Sequence, residues 1–327
     1  MGQRHTTYGC DSAKEYWKRQ YLQHSKGKIL PRDLTPLRYP GGKGSLKYFL
    51  ANTVKANGLE GGILIEPFCG GSGASMPLLE AGVIGELYIN DANPAVAAFW
   101  QSLFLDTDSF VTLVDSTPIT IDQWHRWREV MLVPEESSTL ELGFATFFMN
   151  RCNRSGLLSS GPIGGFDQLG NYKIDCRFNR VNLIKRIETI AKHREKVTVS
   201  NSDACDFLQT IDEQKRSESL IFIDPPYVGQ GKNLYKKYSF GDQEHMRFAD
   251  FIKPKNWKWL ITYDDHPLIH KLYAERALGV IEFSYLMQQA KIGRELLVAS
   301  SHCRIPLPDQ KKVETQVVES ELIKQAL

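Results

Sequence analysis

Leu220-Ile221-Phe222-Ile223-Asp224-Pro225-Pro226-Tyr227 is the stretch from which the rest of this 327-residue chain is read. Four apolar residues followed by an acid and two prolines predict a strand buried on both faces that stops at Asp224, because proline cannot donate to a sheet ladder. A carboxylate at the end of such a strand is typical of α/β sheets, whose ligands sit beyond the carboxyl ends of the strands. The prolines fix φ, so the turn is stiff and its carbonyls stay available. The Asp224 carboxylate and the Pro225 carbonyl can each accept one N–H of a planar exocyclic amine, localising its lone pair, while Tyr227 stacks on the ring that carries it. The same four residues, taken alone, fit a rigid turn equally well.

Upstream, Ile63 to Glu66 reads as a second buried strand, followed by the loop Pro67-Phe68-Cys69-Gly70-Gly71-Ser72-Gly73-Ala74. Glu86 to Asn90 predicts a third strand ending at Asp91. Asn93 is a helix cap, with Pro94 at the first helical position. Strand, glycine-rich turn, helix, strand and acid follow the βαβ logic of nucleotide-binding folds, and Gly70 precedes Asp91 by the usual distance of about 20 residues. The glycines run Gly-Gly-x-Gly rather than G-x-G-x-x-G, which suits a nucleoside ligand lacking pyrophosphate. An earlier loop, Tyr39-Pro40-Gly41-Gly42-Lys43-Gly44, leads into an amphipathic helix carrying Leu46, Phe49, Leu50 and Val54. Downstream, Val197 to Ser200 ends near Asp203 and Trp259 to Thr262 ends near Asp264. Val280 to Tyr285 and Glu295 to Ser300 are expected to close the sheet as an antiparallel pair.

Between Leu103 and Glu195 the strand rhythm is replaced by helical stretches (Trp124 to Met131, Leu140 to Met149) and a basic, glycine-rich tract from Asn150 to Tyr172. The formal net charge is only +2, so any basic surface must be local. It is local here: Arg151, Arg154, Lys173, Arg177, Arg180, Lys185, Arg186, Lys192 and Arg194 face only Asp167, Asp175 and Glu188. Part of that run also fits a solvated helix face. Residues 1–35 mix Tyr16, Trp17 and Tyr21 with lysines and arginines, which suits a helix on nucleic acid, a helix on the body of the protein, or an appendage with a few packed aromatics. Cys10, Cys69, Cys152, Cys176, Cys205 and Cys303 form no CxxC pair and read as free thiols in a reducing compartment. His266 and His270 have helical spacing without an adjacent glutamate, so no metal site is expected. With no long apolar run and no signal-peptide pattern, a cytoplasmic protein of bacterial or phage type is expected.

Read together, Tyr39-Pro-Gly-Gly-Lys43, Glu66-Pro-Phe-Cys-Gly-Gly-Ser-Gly73, Asn90-Asp91, Asp203 and Asp224-Pro-Pro-Tyr227 resemble the Dam-type, D12 class DNA adenine-N6 methyltransferases, from about Pro36 to Arg304. The tract Phe147 to Tyr172 looks like that family's target-recognition lobe. The resemblance implies a Rossmann-like S-adenosylmethionine-dependent fold, a mostly parallel α/β sheet with an inserted, mainly helical lobe. Its parts would be a basic N-terminal extension (1–35), a catalytic domain (36–102 and 196–305), a recognition lobe (103–195) and a C-terminal tail (306–327).

By the same resemblance, S-adenosyl-L-methionine would be bound by Tyr39, Gly42 and Lys43 at its methionine end and by Glu66, Pro67, Phe68, Gly70, Gly71 and Gly73 beneath it. Asp91 would take the ribose hydroxyls, Asp203 and Ala204 the adenine, and Asp224 would lie beside the methyl group; the product would be S-adenosyl-L-homocysteine. Asp224, Pro225, Pro226 and Tyr227 would be catalytic, acting on an adenine rotated out of double-stranded DNA. Arg151 and Arg154 would approach phosphates or guanine edges, Asn153 an adenine edge, and Lys173 and Lys232 are further DNA-contact candidates. Asn150, Ser155 and Gly156 would fold the lobe. A monomer is expected, with a dimer and a cognate restriction endonuclease left open. N4-cytosine, RNA or protein-glutamine methylation would use the same amine geometry, and a DNA-binding module without activity is the alternative from another class.

Overall fold

The computed structural model describes residues 7–8, 10–25, 27–32, 34–38, 42–228, 240–276, 278–286 and 290–306. Among these, eight strands form one sheet in the order β1-β7-β8-β6-β5-β2-β3-β4. They are β1 (Thr7–Tyr8), β2 (Ile63–Glu66), β3 (Glu86–Asn90), β4 (Val197–Ser200), β5 (Ser219–Ile223), β6 (Lys258–Asp264), β7 (Leu278–Leu286) and β8 (Ala290–Ala299). From β4 through β6 every neighbouring pair is parallel; β8 runs against both β6 and β7. This is the Rossmann-like, mostly parallel sheet that the alternation of apolar runs and acids predicts. The antiparallel closing pair is also found, with Phe283 opposite Gly293.

The sheet is buried on both sides because its central strands are apolar at nearly every position. Along β5, Leu220 and Phe222 enter one core while Ile221 and Ile223 enter the other, as a period of two requires. The second core is covered by α9 (Ala204–Thr210), α11 (Asp242–Ile252) and α12 (Pro267–Leu272), through residues such as Phe207, Phe248 and Ile269.

The first core is covered by α1 (Cys10–His24), α2 (Lys47–Ala56) and α3 (Ser75–Glu80). Trp17 of α1 is 1% exposed, lies 4.7 Å from the Phe49 ring and donates its indole N–H to the Pro306 carbonyl. The N-terminal aromatics therefore serve the body of the protein.

Between β3 and β4 the chain forms α4 (Pro94–Leu105), α5 (Thr107–Ser116), α6 (Ile121–Leu132), α7 (Thr139–Cys152) and α8 (Arg180–Ala191). Asn93 caps α4 through Ala95 N–H as its sequence suggests, and a Ser138/Glu141 capping box starts α7. The boundary expected at residue 103 falls within α4. Phe99 of that helix packs 6.2 Å from Phe147 of α7, and the core shared by these helices is continuous with the first face of the sheet. α10 (Glu213–Ser217) leads into β5.

Going from β2, the chain steps outward through β3 and β4, then returns to the other side of β2 with β5. β2 and β5 thus flank the switch in strand order, the place where α/β sheets open a crevice for ligands beyond their carboxyl ends. The residues at those two ends are Glu66 and Asp224.

Candidate active site

Asp224 leaves β5 with its two carboxylate oxygens in different circumstances. Oδ1 accepts from Thr262 Oγ1 on β6 at 2.8 Å and from Lys43 Nζ at 2.9 Å. Oδ2 and the carbonyl of Pro225 accept no hydrogen bond among the described residues, and the Asp224 side chain is 24% exposed. One oxygen therefore anchors the carboxylate and the other retains its acceptor capacity among the described residues, with the Pro225 carbonyl beside it in sequence. The next turn is pinned as well, since Val228 N–H donates to Asp264 Oδ1 at 3.1 Å.

Lys43 and Tyr227 meet in the same cluster. Lys43, 7% exposed, donates to the Tyr227 hydroxyl at 2.6 Å, and its ammonium lies 4.9 Å from the centre of the Tyr227 ring. The hydroxyl in turn donates to Glu295 Oε1, which is also 3.4 Å from Lys43 Nζ. Burial by itself would lower the Lys43 pKa, but the carboxylates of Asp224 and Glu295 outweigh it and raise it, so the ammonium stays charged. Glu295 sits on β8 opposite Asp264 and is 1% exposed. Sequence reasoning did not single it out as a site residue; the available signal was an acid at the head of the apolar run Glu295 to Ser300. The Lys43 ammonium, expected at the methionine end of the cofactor, faces Asp224, Glu295 and Tyr227. Tyr39 lies outside the described residues.

The glycine loop after β2 is built around Glu66, which accepts from the Ser72 and Ser75 hydroxyls and whose pKa burial pushes up to about 7. Ser72 itself has φ 43°, a left-handed conformation uncommon for a residue with a Cβ. Gly70 N–H donates to Asp91 Oδ2 at 3.0 Å and Asn93 N–H to Oδ1 at 2.9 Å. Burial raises the Asp91 pKa to about 6 against the pull of those two N–H groups. Pro67 is buried and its carbonyl takes Asn90 Nδ2; Gly71 is buried; Phe68 is half-buried, edge-on to Phe248 at 5.3 Å. A Cβ on Gly73 would lie 3.4 Å from Gly44 N, so the glycine loop and the segment following exposed Gly42 are in contact.

Asp203 caps α9 through the N–H groups of Cys205 and Asp206, with Ala204 buried behind it, and its other oxygen pairs with Arg247 of α11. Burial raises its pKa, but the Arg247 guanidinium and the Cys205 N–H prevail and hold the carboxyl below its ordinary value. Arg247 is not anticipated from the sequence.

In the helical lobe, Asn153 requires a correction. Expected at an adenine edge, it is fully buried: Oδ1 accepts from Trp124 Nε1 at 2.6 Å and Nδ2 donates to the Leu157 carbonyl at 2.9 Å. Its amide folds the lobe. Arg151 is half-buried on the carbonyls of Arg177 and Pro36. Arg154 and Lys173 are exposed, Lys173 against the Gln168 carbonyl, and Lys232 lies outside the described residues. Asn150 clamps the lobe to the segment before Gly42, accepting from Arg38 N–H at 2.7 Å and donating to the Arg38 carbonyl at 2.9 Å. Gly156, at φ 74°, allows the close approach: a Cβ there would lie 2.3 Å from the Arg38 oxygen.

Residues 39–291 match the family described as D12 class N6 adenine-specific DNA methyltransferase. Among curated proteins the chain is similar to the type II methyltransferase M.MjaIII of Methanocaldococcus jannaschii, 24% identical over 234 residues, covering 66% of this chain and 78% of that protein. Among solved structures it is similar to a Pyrococcus horikoshii protein described as "a putative RNA methyltransferase PH1948", with 12% identity and a TM-score of 0.38 over 87% of this chain and 97% of the other.

Proposed function

Because this chain belongs to the D12 class N6 adenine-specific DNA methyltransferase family, we propose that it methylates N6 of an adenine rotated out of double-stranded DNA, by direct in-line transfer at Asp224–Tyr227. The observation that carries the assignment of the site is the asymmetry of Asp224: Oδ1 is anchored by Thr262 and Lys43, and Oδ2 accepts no hydrogen bond among the described residues, next in sequence to a proline-fixed carbonyl. Those two acceptors take the two N–H bonds of the adenine amine and direct its lone pair outward from the ring. Such fixed orientation can remove roughly 7–11 kcal/mol from a barrier. Tyr227, held by its hydroxyl, offers its ring to the base; base–aromatic stacking returns about 1–3 kcal/mol of the cost of unstacking. Asp224 Oδ2, already bonded to the amine, receives the proton that the nitrogen sheds and passes it to solvent.

The methyl donor implied by the family is S-adenosyl-L-methionine, which supplies an electrophilic methyl group. The loops fit such a nucleoside ligand. Asp91 has one N–H on each oxygen and retains acceptor capacity for ribose hydroxyls, while Gly70, Gly71 and Gly73 allow close backbone approach, with Phe68 nearby. Asp203 would share its carboxylate between Arg247 and the ligand's adenine amine. Residues 103–195 serve as the target-recognition lobe, with exposed Arg154 and Lys173 toward DNA.

Replacing Asp224 by alanine should abolish methyl transfer in a tritium-transfer assay while calorimetry shows S-adenosylmethionine still bound. Retained transfer would reject the role assigned to Asp224.

A further inference from the structure

We infer that Arg38, Arg151, Arg177 and Arg186 form one seat for a backbone phosphate of the DNA, at the seam between the helical lobe and the segment leading to Gly42 and Lys43. The inference rests on the reading of the chain as a DNA methyltransferase, which had Arg151 alone of these four near a phosphate, and adds the seat formed with Arg38, Arg177 and Arg186.

Three of the side chains are gathered by backbone carbonyls, one of which belongs to the fourth residue, Arg177. Arg186 donates to the Thr35 carbonyl and Arg151 to the adjacent Pro36 carbonyl, each at 3.3 Å. Arg151 Nε also donates to the Arg177 carbonyl at 2.8 Å, and Arg38 donates to the carbonyls of Asn153 at 3.3 Å and Arg151 at 3.4 Å. These bonds use a minority of the five N–H donors on each guanidinium. Arg177 is exposed, and its side chain makes no hydrogen bond among the described residues.

No carboxylate lies within ion-pair distance of any of the four among the described residues, and the neighbouring acids in sequence, Asp175 and Glu188, are both exposed. The charges press on one another. Burial, then Arg38 and Arg186, bring the Arg151 pKa down to about 10, and burial followed by Arg177 lowers that of Arg38. At neutral pH Arg151 still carries its charge, so the group as a whole calls for an anion.

Guanidiniums suit phosphate because their planar forks donate two parallel hydrogen bonds. The position favours DNA over a small anion. The seat joins the lobe to a segment that reaches Lys43 within a few residues, so a phosphate held there would fix the target strand relative to Asp224.

The test replaces Arg177 and Arg186 by glutamine, singly and together, and measures binding of a duplex across a salt series by fluorescence anisotropy. The log–log salt slope should become shallower by about 0.9 for each phosphate no longer neutralised. Affinity should fall by the same factor on duplexes with and without the target sequence, and S-adenosylmethionine affinity should not change. An unchanged slope in the double variant, with the wild-type protein binding DNA, overturns the inference alone. Weakened cofactor binding in place of weakened DNA binding also overturns it, assigning the seat to the cofactor carboxylate. Failure of the wild-type protein to bind DNA would overturn the functional reading itself. Arg177→Gln alone carries the test if Arg186→Gln fails to fold, because the Arg177 side chain makes no hydrogen bond among the described residues.

Discussion

In the proposed function, Asp91 ties the chemistry of one carboxylate to the binding of the methyl donor. Its pKa, lifted by burial to about 6, means that it is protonated in mild acid and ionised at neutral pH. An acceptor for two ribose hydroxyls must be ionised, so S-adenosylmethionine affinity should weaken as pH falls through about 6, by about tenfold at pH 5. Calorimetry between pH 5 and 8 would show this, and Asp91→Asn should flatten the dependence. Folding carries the opposite sign: the raised pKa favours the protonated native state, so the contribution of Asp91 to stability is full below its unfolded value near 3.8 and is lost as pH rises through about 6. The positions of single residues are legible in the sequence where type and strand end agree, as at Asp224 after β5 and Asp91 after β3. Their partnerships are not. Lys43 and Tyr227 touch across 184 residues, and nothing local to either sequence announces it. Asn153 departs from expectation because an amide that can reach a base edge serves equally well to join the Trp124 indole to the carbonyls of Leu157 and Leu158 within a buried loop.

At the level of elements, the strands are legible because a central parallel strand is apolar on both faces and stops at an acid or a proline. Helix starts such as Asn93-Pro94 are equally plain. Which element lies beside which is not written locally. Glu295 enters the active-site cluster only because β8 inserts antiparallel beside β6 and sets it opposite Asp264. The place of α1 is likewise decided by packing. Trp17 is sealed between α1 and α2 and bonded to the Pro306 carbonyl, so Trp17→Ala should destabilise the fold by about 3–5 kcal/mol in denaturant unfolding. A change of less than about 1 kcal/mol would show that α1 is an appendage. Among the described residues, no helix is long and apolar enough to cross a membrane.

On the scale of the whole molecule, three parts converge on the carboxyl ends of β2 and β5. The sheet sets Glu66 and Asp224 at its switch in strand order. The β2 loop is tied to Asp91 through the Gly70 N–H, and Lys43 links the preceding segment to the tetrapeptide. The lobe joins the same segment through Asn150 and Arg38, so the parts assigned to DNA and to chemistry share a structural link. One chemical outcome is decisive for the proposal that the amine aligned by Asp224 and Pro225 is N6 of adenine in DNA. Unmethylated duplex DNA incubated with the protein and S-adenosylmethionine, then digested and resolved by nucleoside mass spectrometry, tests this most directly. N6-methyladenine should accumulate with the wild-type protein and be absent with Asp224→Ala, whereas N4-methylcytosine, or no methylated nucleoside at all, would contradict it.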